Sequence, residues 1–271
     1  MNGEAPTSVV RSRDGTPIAV FSSGVGSPLV LVHGSTADHT TFRVVGPRFA
    51  QRFRVHAIDR RGRGASGDAR AAYAVEREFE DVAAVAEAVG AGSAGGVDVF
   101  GHSYGGRCAL GAALLTDAIR RVVSYEGAPT PEGASYHPDG IEARLRERLA
   151  AGDRDGALAL FLTEVVGMSA DDLAAYRTNP VWPLRAAAAG TILRELEAET
   201  DPAASLDRLG GVGRPVLQLL GGDSLPVFRD ATVALDERLA NGRVVVIDGA
   251  RHAAHHSHPD VVVAAVESFL A

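Results

Sequence analysis

The sequence predicts an α/β protein: a mostly parallel, eight-stranded sheet flanked by helices, with a helical insertion after the sixth strand. Three observations predict it. Runs of β-branched and aliphatic residues at 28–33, 54–59, 97–100 and 121–125 fit strands, the first of them continuous as in strands buried on both faces. Single helical segments separate most of them, which implies parallel pairing through right-handed crossovers. Residues 130–210 then carry helical patterns alone, after which the alternation resumes.

Taken in order, 8–11 and 18–22 flank the turn signal Asp14-Gly15 and predict a hairpin. Strand 28–33 precedes a helix over 41–49 and strand 54–59. Residues 75–89 place Phe79, Val82, Val85, Ala86 and Val89 at helical spacing, with Glu76, Glu78 and Glu80 near the N-terminus, where the helix dipole favours them. Strand 97–100, helix 104–115 and strand 121–125 follow. Helices are expected at 141–151, 155–166, 171–176 and 184–199, with Gly and Pro between them. Strand 215–220, helix 229–239, strand 243–247 and helix 259–270 complete the chain. This organisation divides into a core, 1–129 and 211–271, and a helical lid, 130–210.

Composition narrows the function classes. The 271 residues are 46% hydrophobic and 23% charged, ordinary for a folded globular chain. The net charge, 27 − 34 = −7, disfavours nucleic acid as a partner. No apolar run approaches the roughly 18 residues that span a bilayer, and the first residues lack a basic segment leading into an apolar one. The single cysteine, Cys108, forms no internal disulfide. A cytoplasmic enzyme or binding protein acting on a small molecule is expected, its oligomeric state open, with a homodimer among the options.

The strongest chemical signal is Gly101-His102-Ser103-Tyr104-Gly105, a G-x-S-x-G pentapeptide set between a strand and a helix. Its glycines permit a tight turn that leaves Ser103 at a helix N-terminus, where developing negative charge is favoured. A serine hydroxyl needs a base. His252, just after the last strand, is best placed, because parallel strands end on one edge and their loops converge there. His255, His256 and His258 are rivals, and together they raise a metal hypothesis that lacks the usual acidic or Cys ligands. Asp223, after strand 215–220, is the expected orienting carboxylate. Glu126, at the end of strand 121–125, is the alternative acid. The oxyanion donors are expected from the backbone of Tyr104 and of Ser35, with Thr36 as the neighbouring choice. His33 is read as holding that loop through a hydrogen bond.

These residues resemble the lid-bearing esterase and haloperoxidase-like branch of the α/β-hydrolase fold superfamily. The likeness is carried by His33-Gly34, the run Asp59 to Gly67, Gly101 to Gly106, Gly221-Gly222-Asp223 and His252. It covers essentially the whole chain and is weakest over 130–210. Two departures stand out: Arg251 occupies the position before the catalytic His where the family usually has Gly, and the acid loop reads Gly-Gly-Asp-Ser-Leu-Pro. The resemblance implies that Arg60, Arg61 and Arg63 are solvated or ion-paired rather than substrate ligands. Ser103 at the nucleophile position excludes the Asp-dependent epoxide hydrolases and dehalogenases. The expected function is hydrolysis of a small-to-medium, moderately hydrophobic ester or lactone through an acyl-serine, without cofactor or metal. The alternatives are a carbon–carbon or thioester hydrolase with the same triad, or a silent ligand receptor. Phe161, Met168 and Trp182 are the lid residues expected to line the substrate pocket.

Overall fold

A computed structural model of the chain describes residues 5–68, 72–93 and 95–271. Residues 1–4, part of the N-terminal stretch read above, and residues 69–71 and 94 lie outside that description. The strands are β1 (Ser8–Arg11), β2 (Pro17–Ser23), β3 (Ser27–Val32), β4 (Phe53–Ile58), β5 (Val97–His102), β6 (Ile119–Tyr125), β7 (Val216–Gly221) and β8 (Gly242–Ile247). They form one sheet in the order β1-β2-β4-β3-β5-β6-β7-β8. The hairpin β1–β2 pairs antiparallel, as does β2 with β4; every other pairing is parallel.

Alternation along the strands builds two cores. On β3, Val30 and Val32 face the layer formed by α2 (Val75–Gly90) and α3 (Tyr104–Ala113), with Phe79, Val82, Cys108 and Leu110. Leu29 and Leu31 face the other layer, with Phe42, Phe49 and Phe100. There they meet Val262 and Val266 of α12 (Pro259–Phe269). Period-two side-chain direction turns one apolar run into contacts on both faces. Each such buried aliphatic or aromatic side chain contributes about 1.5–3 kcal/mol.

The parallel register aligns strand ends. Val32 pairs with Gly101, Gly101 with Ser124, Tyr125 with Leu219, and Gly221 with Ile247. The segments after β3, β5, β6, β7 and β8 therefore emerge along one edge.

Between β6 and β7 lie α4 (Ile141–Ala150), α5 (Arg154–Glu164), α6 (Ala170–Arg177), α7 (Trp182–Ala187), α8 (Ile192–Glu197) and α9 (Leu206–Gly210). Asp153, Ser169 and Ser205 cap α5, α6 and α9 by accepting from Gly156, Asp172 and Arg208 N–H groups. Leu145, Leu158, Phe161 and Ile192 join the same apolar cluster as α2, α3 and the sheet. Two expected helices are broken into shorter pieces. The stretch 184–199 is broken by a tighter turn at Ala188–Thr191, which contains the helix-weakening Gly190. The stretch 41–49 is a 3₁₀ turn, His39–Phe42, followed by the one-turn α1 (Gly46–Phe49), with Pro47 at its start. After β7 comes α10 (Pro226–Asp236), and α11 (Ala254–Ser257) precedes α12.

The three arginines after β4 are buried and paired. Arg60 donates to both oxygens of Glu78 at 2.8 Å and to Glu195 at 2.5 Å, Arg61 is bidentate on Asp81 at 2.7 Å, and Arg63 reaches Glu78 and Glu195. Glu78, in the first turn of α2, thus clamps this loop to α2, and Glu195 clamps it to α8.

Candidate active site

Ser103 is the N-cap of α3, with φ 55° and ψ −128°. The described non-glycine residues with positive φ are Thr36, Ser103 and Glu126, which follow β3, β5 and β6 along the same edge. Strain held at three converging loops marks a functional edge. The turn at Ser103 has no room for side chains beside it. A Cβ on Gly101 would lie 2.3 Å from the Gly105 carbonyl oxygen, and one on Gly105 would lie 2.3 Å from that of Val32. The Ser103 N–H donates to the Tyr125 carbonyl at 2.8 Å, which ties the turn to β6.

The carboxylate that meets His252 is Glu126, which corrects the expectation of Asp223. Glu126 Oε2 lies 2.5 Å from His252 Nδ1. Its other oxygen, Oε1, accepts from the Gly221 N–H at 2.7 Å and the Ser224 hydroxyl at 2.6 Å. Glu126 is buried, and its three partners hold the carboxylate in one orientation. Asp223 is solvent-exposed. Its own N–H donates to the Ala250 carbonyl at 2.8 Å, so the loop after β7 is bound to the loop after β8 by backbone while the Asp223 side chain faces water. The short β7 loop thus spends its contacts on orienting Glu126.

The His252 ring is fixed from several sides. Phe228 stacks on it at 4.5 Å between centroids. The Tyr125 hydroxyl donates to the Arg251 carbonyl and accepts from the Ala254 N–H. His102 Nε2 donates to the His252 carbonyl at 2.7 Å. Burial depresses the His102 pKa well below the usual imidazole range, and the carbonyl partner requires the proton on Nε2. The rivals do not meet the carboxylate. His255 is buried with neither ring nitrogen hydrogen-bonded, burial driving its pKa well down. Burial brings His256 to about 4. His258 contacts the Ser257 hydroxyl. Among the described residues no group of three or more His, Cys, Asp or Glu is arranged to hold a metal ion.

His33 has a positioning role. Its Nδ1 donates to the Gly34 carbonyl at 2.8 Å, and Nε2 accepts the Arg60 N–H at 3.0 Å. Burial keeps the ring neutral, its pKa well below the usual value. The ring thus pins the β3 loop to the β4 loop. Ser35 on that loop and Tyr104 line one chamber with Ser103. Tyr104 is the first residue of α3, whose N–H has no intrahelical acceptor, and neither its N–H nor that of Ser35 has an acceptor among the described residues.

Ser103 and His252 face two chambers. The inner one, about 40 Å³, is lined by Ser35, Tyr104, Arg107, Glu126, Phe161 and Phe228, among others. The outer one, about 340 Å³, is lined by Phe161, Leu162, Met168, Tyr176, Arg185 and His256, among others. The Ser103 hydroxyl has no hydrogen-bond partner among the described residues, and it shares both chambers with the His252 ring. Phe161 and Met168 line the space as expected. Trp182 does not: its indole N–H donates to Asp155, its ring meets Tyr176 edge-on, and the Arg177 guanidinium lies 5.4 Å over it. It is buried in the body of the helical segment because Asp155 supplies its polar partner there. The sequence reading missed Arg107, Glu195 and Glu199, which line the inner chamber. Arg107, one turn after Ser103, carried a signal in its spacing; the glutamates reach the chamber only through the fold.

A serine at a strained strand–helix turn, faced by a histidine on a buried carboxylate, defines a hydrolase-type site on a mostly parallel sheet. The chain belongs to the α/β hydrolase family, whose sequence pattern matches residues 29–265. It is similar to a 2-(acetamidomethylene)succinate hydrolase of Mesorhizobium japonicum, 26% identical, with 93% of this chain and 90% of that protein aligned. It is also similar to a pimeloyl-[acyl-carrier protein] methyl ester esterase of Aeromonas hydrophila, 28% identical over 93% of this chain and 99% of that protein. Among solved structures, an α/β hydrolase from Sphaerobacter thermophilus superposes with a TM-score of 0.82 at 33% identity, covering 97% of this chain and 100% of that one.

Proposed function

We propose that this protein hydrolyses a small-to-medium carboxylic ester or lactone through an acyl-serine, with Ser103 as nucleophile, His252 as base and Glu126 as the orienting carboxylate. The observation that carries this is the 2.5 Å contact between His252 Nδ1 and the buried Glu126. That contact occupies Nδ1 and leaves Nε2 to take the Ser103 proton as Oγ attacks the acyl carbon. The negative charge on the carbonyl oxygen is met by the Tyr104 and Ser35 N–H groups, each worth about 3 kcal/mol by analogy with measured oxyanion donors. His252 then returns its proton to the departing alkoxide. In the second half it takes a proton from water, whose hydroxide attacks the acyl carbon and releases Ser103.

The helical segment, 130–210, acts as the lid, since Phe161 and Met168 come from it and close the chambers. The methyl ester esterase activity named for one relative supports ester chemistry. Among the described residues no helix is long and apolar enough to cross a membrane. The single buried thiol, Cys108, suits a reducing, cytoplasmic setting.

Labelling by a fluorophosphonate probe tests the assignment. The wild type should label and turn over short p-nitrophenyl esters, and Ser103→Ala should do neither. Labelling that persists in Ser103→Ala refutes it, and a wild type inert to both is a silent receptor.

A further inference from the structure

Arg107 stands out among the residues of the inner chamber. It is 4% exposed, yet its Nε and Nη1 have no hydrogen-bond partner among the described residues. A guanidinium stays charged in a protein, and a buried donor left unpaired is costly. Its nearest anionic neighbour, Glu199, is 4.0 Å away, beyond hydrogen-bond reach. Of the other acids lining the chamber, Glu126 is held by His252, Gly221 and Ser224, and Glu195 bonds Arg60 and Arg63 through Oε1, its Oε2 lacking a hydrogen-bond partner among the described residues. The Tyr104 and Tyr136 rings lie 5.4 and 5.9 Å from the Arg107 guanidinium carbon, and Tyr136 also engages the guanidinium through its hydroxyl, which leaves Nε and Nη1 unfilled.

Position adds to the argument. Arg107 lies four residues after Ser103, about 6 Å along the axis of α3. Helical side chains lean toward the N-terminus, here toward the serine. The chamber's 40 Å³ holds roughly three water-sized groups at ~10–15 Å³ each, enough for the end of a short acyl chain.

We propose that Arg107 selects acyl groups carrying a hydrogen-bond-accepting oxygen on the β-carbon, as in a 3-oxoacyl or malonyl group, by binding that oxygen in the inner chamber. The proposal rests on the reading of Ser103 as the acylated residue. It sharpens the expectation of a moderately hydrophobic ester or lactone, because it adds a polar anchor that sits on the core helix rather than on the lid.

Three methyl esters of one skeleton test it: methyl isovalerate, methyl acetoacetate and monomethyl malonate, followed by methanol release. The readout is the kcat/KM ratio of each oxygen-bearing ester to isovalerate, compared between wild type and Arg107→Met so that intrinsic ester reactivity cancels. The wild-type ratio should exceed that of the variant by on the order of 10- to 100-fold, the size of one hydrogen bond to a charged group. Preference confined to malonate identifies a carboxylate as the ligand, and preference for both identifies a carbonyl oxygen; either supports the proposal. Met retains an unbranched stem and leaves no buried charge. Arg107→Gln provides the same comparison if Arg107→Met does not fold. Equal ratios in wild type and variant would mean that Arg107 binds internal water only, and the proposal falls. If Ser103→Ala still turns these esters over, the nucleophile assignment fails instead, while the ratio still reads Arg107.

Discussion

The edge of the sheet and the helical segment above it are built on opposite terms. At the edge, each functional group is held by several independent contacts. Glu126 has three hydrogen-bond partners from two other loops. Ser103 is fixed by a positive φ, a bond to β6 and glycines packed against carbonyl oxygens. In the segment from α4 to α9, three of the six helices have six residues or fewer, and of these only α9 has a side-chain cap, Ser205. Short helices in water are marginal and depend on packing. Under the proposed function the contrast assigns different jobs: the edge positions the reacting atoms, and the helices shape the space around them. Changes at the edge should therefore act on kcat, and changes in the segment on KM or on stability.

The largest effect should come from the carboxylate. Glu126→Gln retains the shape but removes the charge that stabilises a His252 cation, and should lower kcat about 10⁴-fold, or ~5.4 kcal/mol. Asp223→Asn should leave kcat within about twofold. Steady-state kinetics of the pair decides the matter, and the reverse result would return the acid to Asp223.

Acidification should come next, and it acts on the edge. His33, His102 and His255 are buried with pKa values pushed well below the usual 6.5. Below pH 6.5 the unfolded chain binds these protons and the folded one does not, so stability falls as pH falls. Each contributes at most about 1.4 kcal/mol per pH unit, or roughly 4 kcal/mol for the three. Denaturant titrations at pH 7.5 and 5.5 should show this loss, and a flat profile would mean that the imidazoles protonate in place.

What the sequence makes legible follows the same division. The central strands are readable because burial on both faces demands continuous apolar runs such as Leu29 to Val32. Ser103 is readable because only glycines tolerate the contacts around its turn. The choice between Glu126 and Asp223 is not readable, since both follow parallel strands at the same edge. The structure sets Glu126 against His252 through contacts that no residue pattern encodes, Asp223 N–H to the Ala250 carbonyl and Gly221 N–H to the Glu126 carboxylate. In the helical segment, Trp182 has the composition of a pocket residue, but Asp155 and Tyr176 draw it inward.

Trp182 and Met168 should therefore separate the two jobs within the helical segment itself. Trp182→Ala removes a buried indole and should cost about 3 kcal/mol of stability, read as a lowered Tm, with the KM of the folded fraction little changed. Met168→Ala acts on a side chain only partly buried and facing the outer chamber. It enlarges that chamber and should shift the KM for bulky esters a few-fold, under about 1 kcal/mol, with Tm unchanged. This is the smallest effect and the sharpest check, because it asks whether the apolar surface of the helical segment touches substrate. A Met168→Ala enzyme that loses kcat while keeping KM would place the helical segment in the reacting geometry and erase the distinction between the two regions.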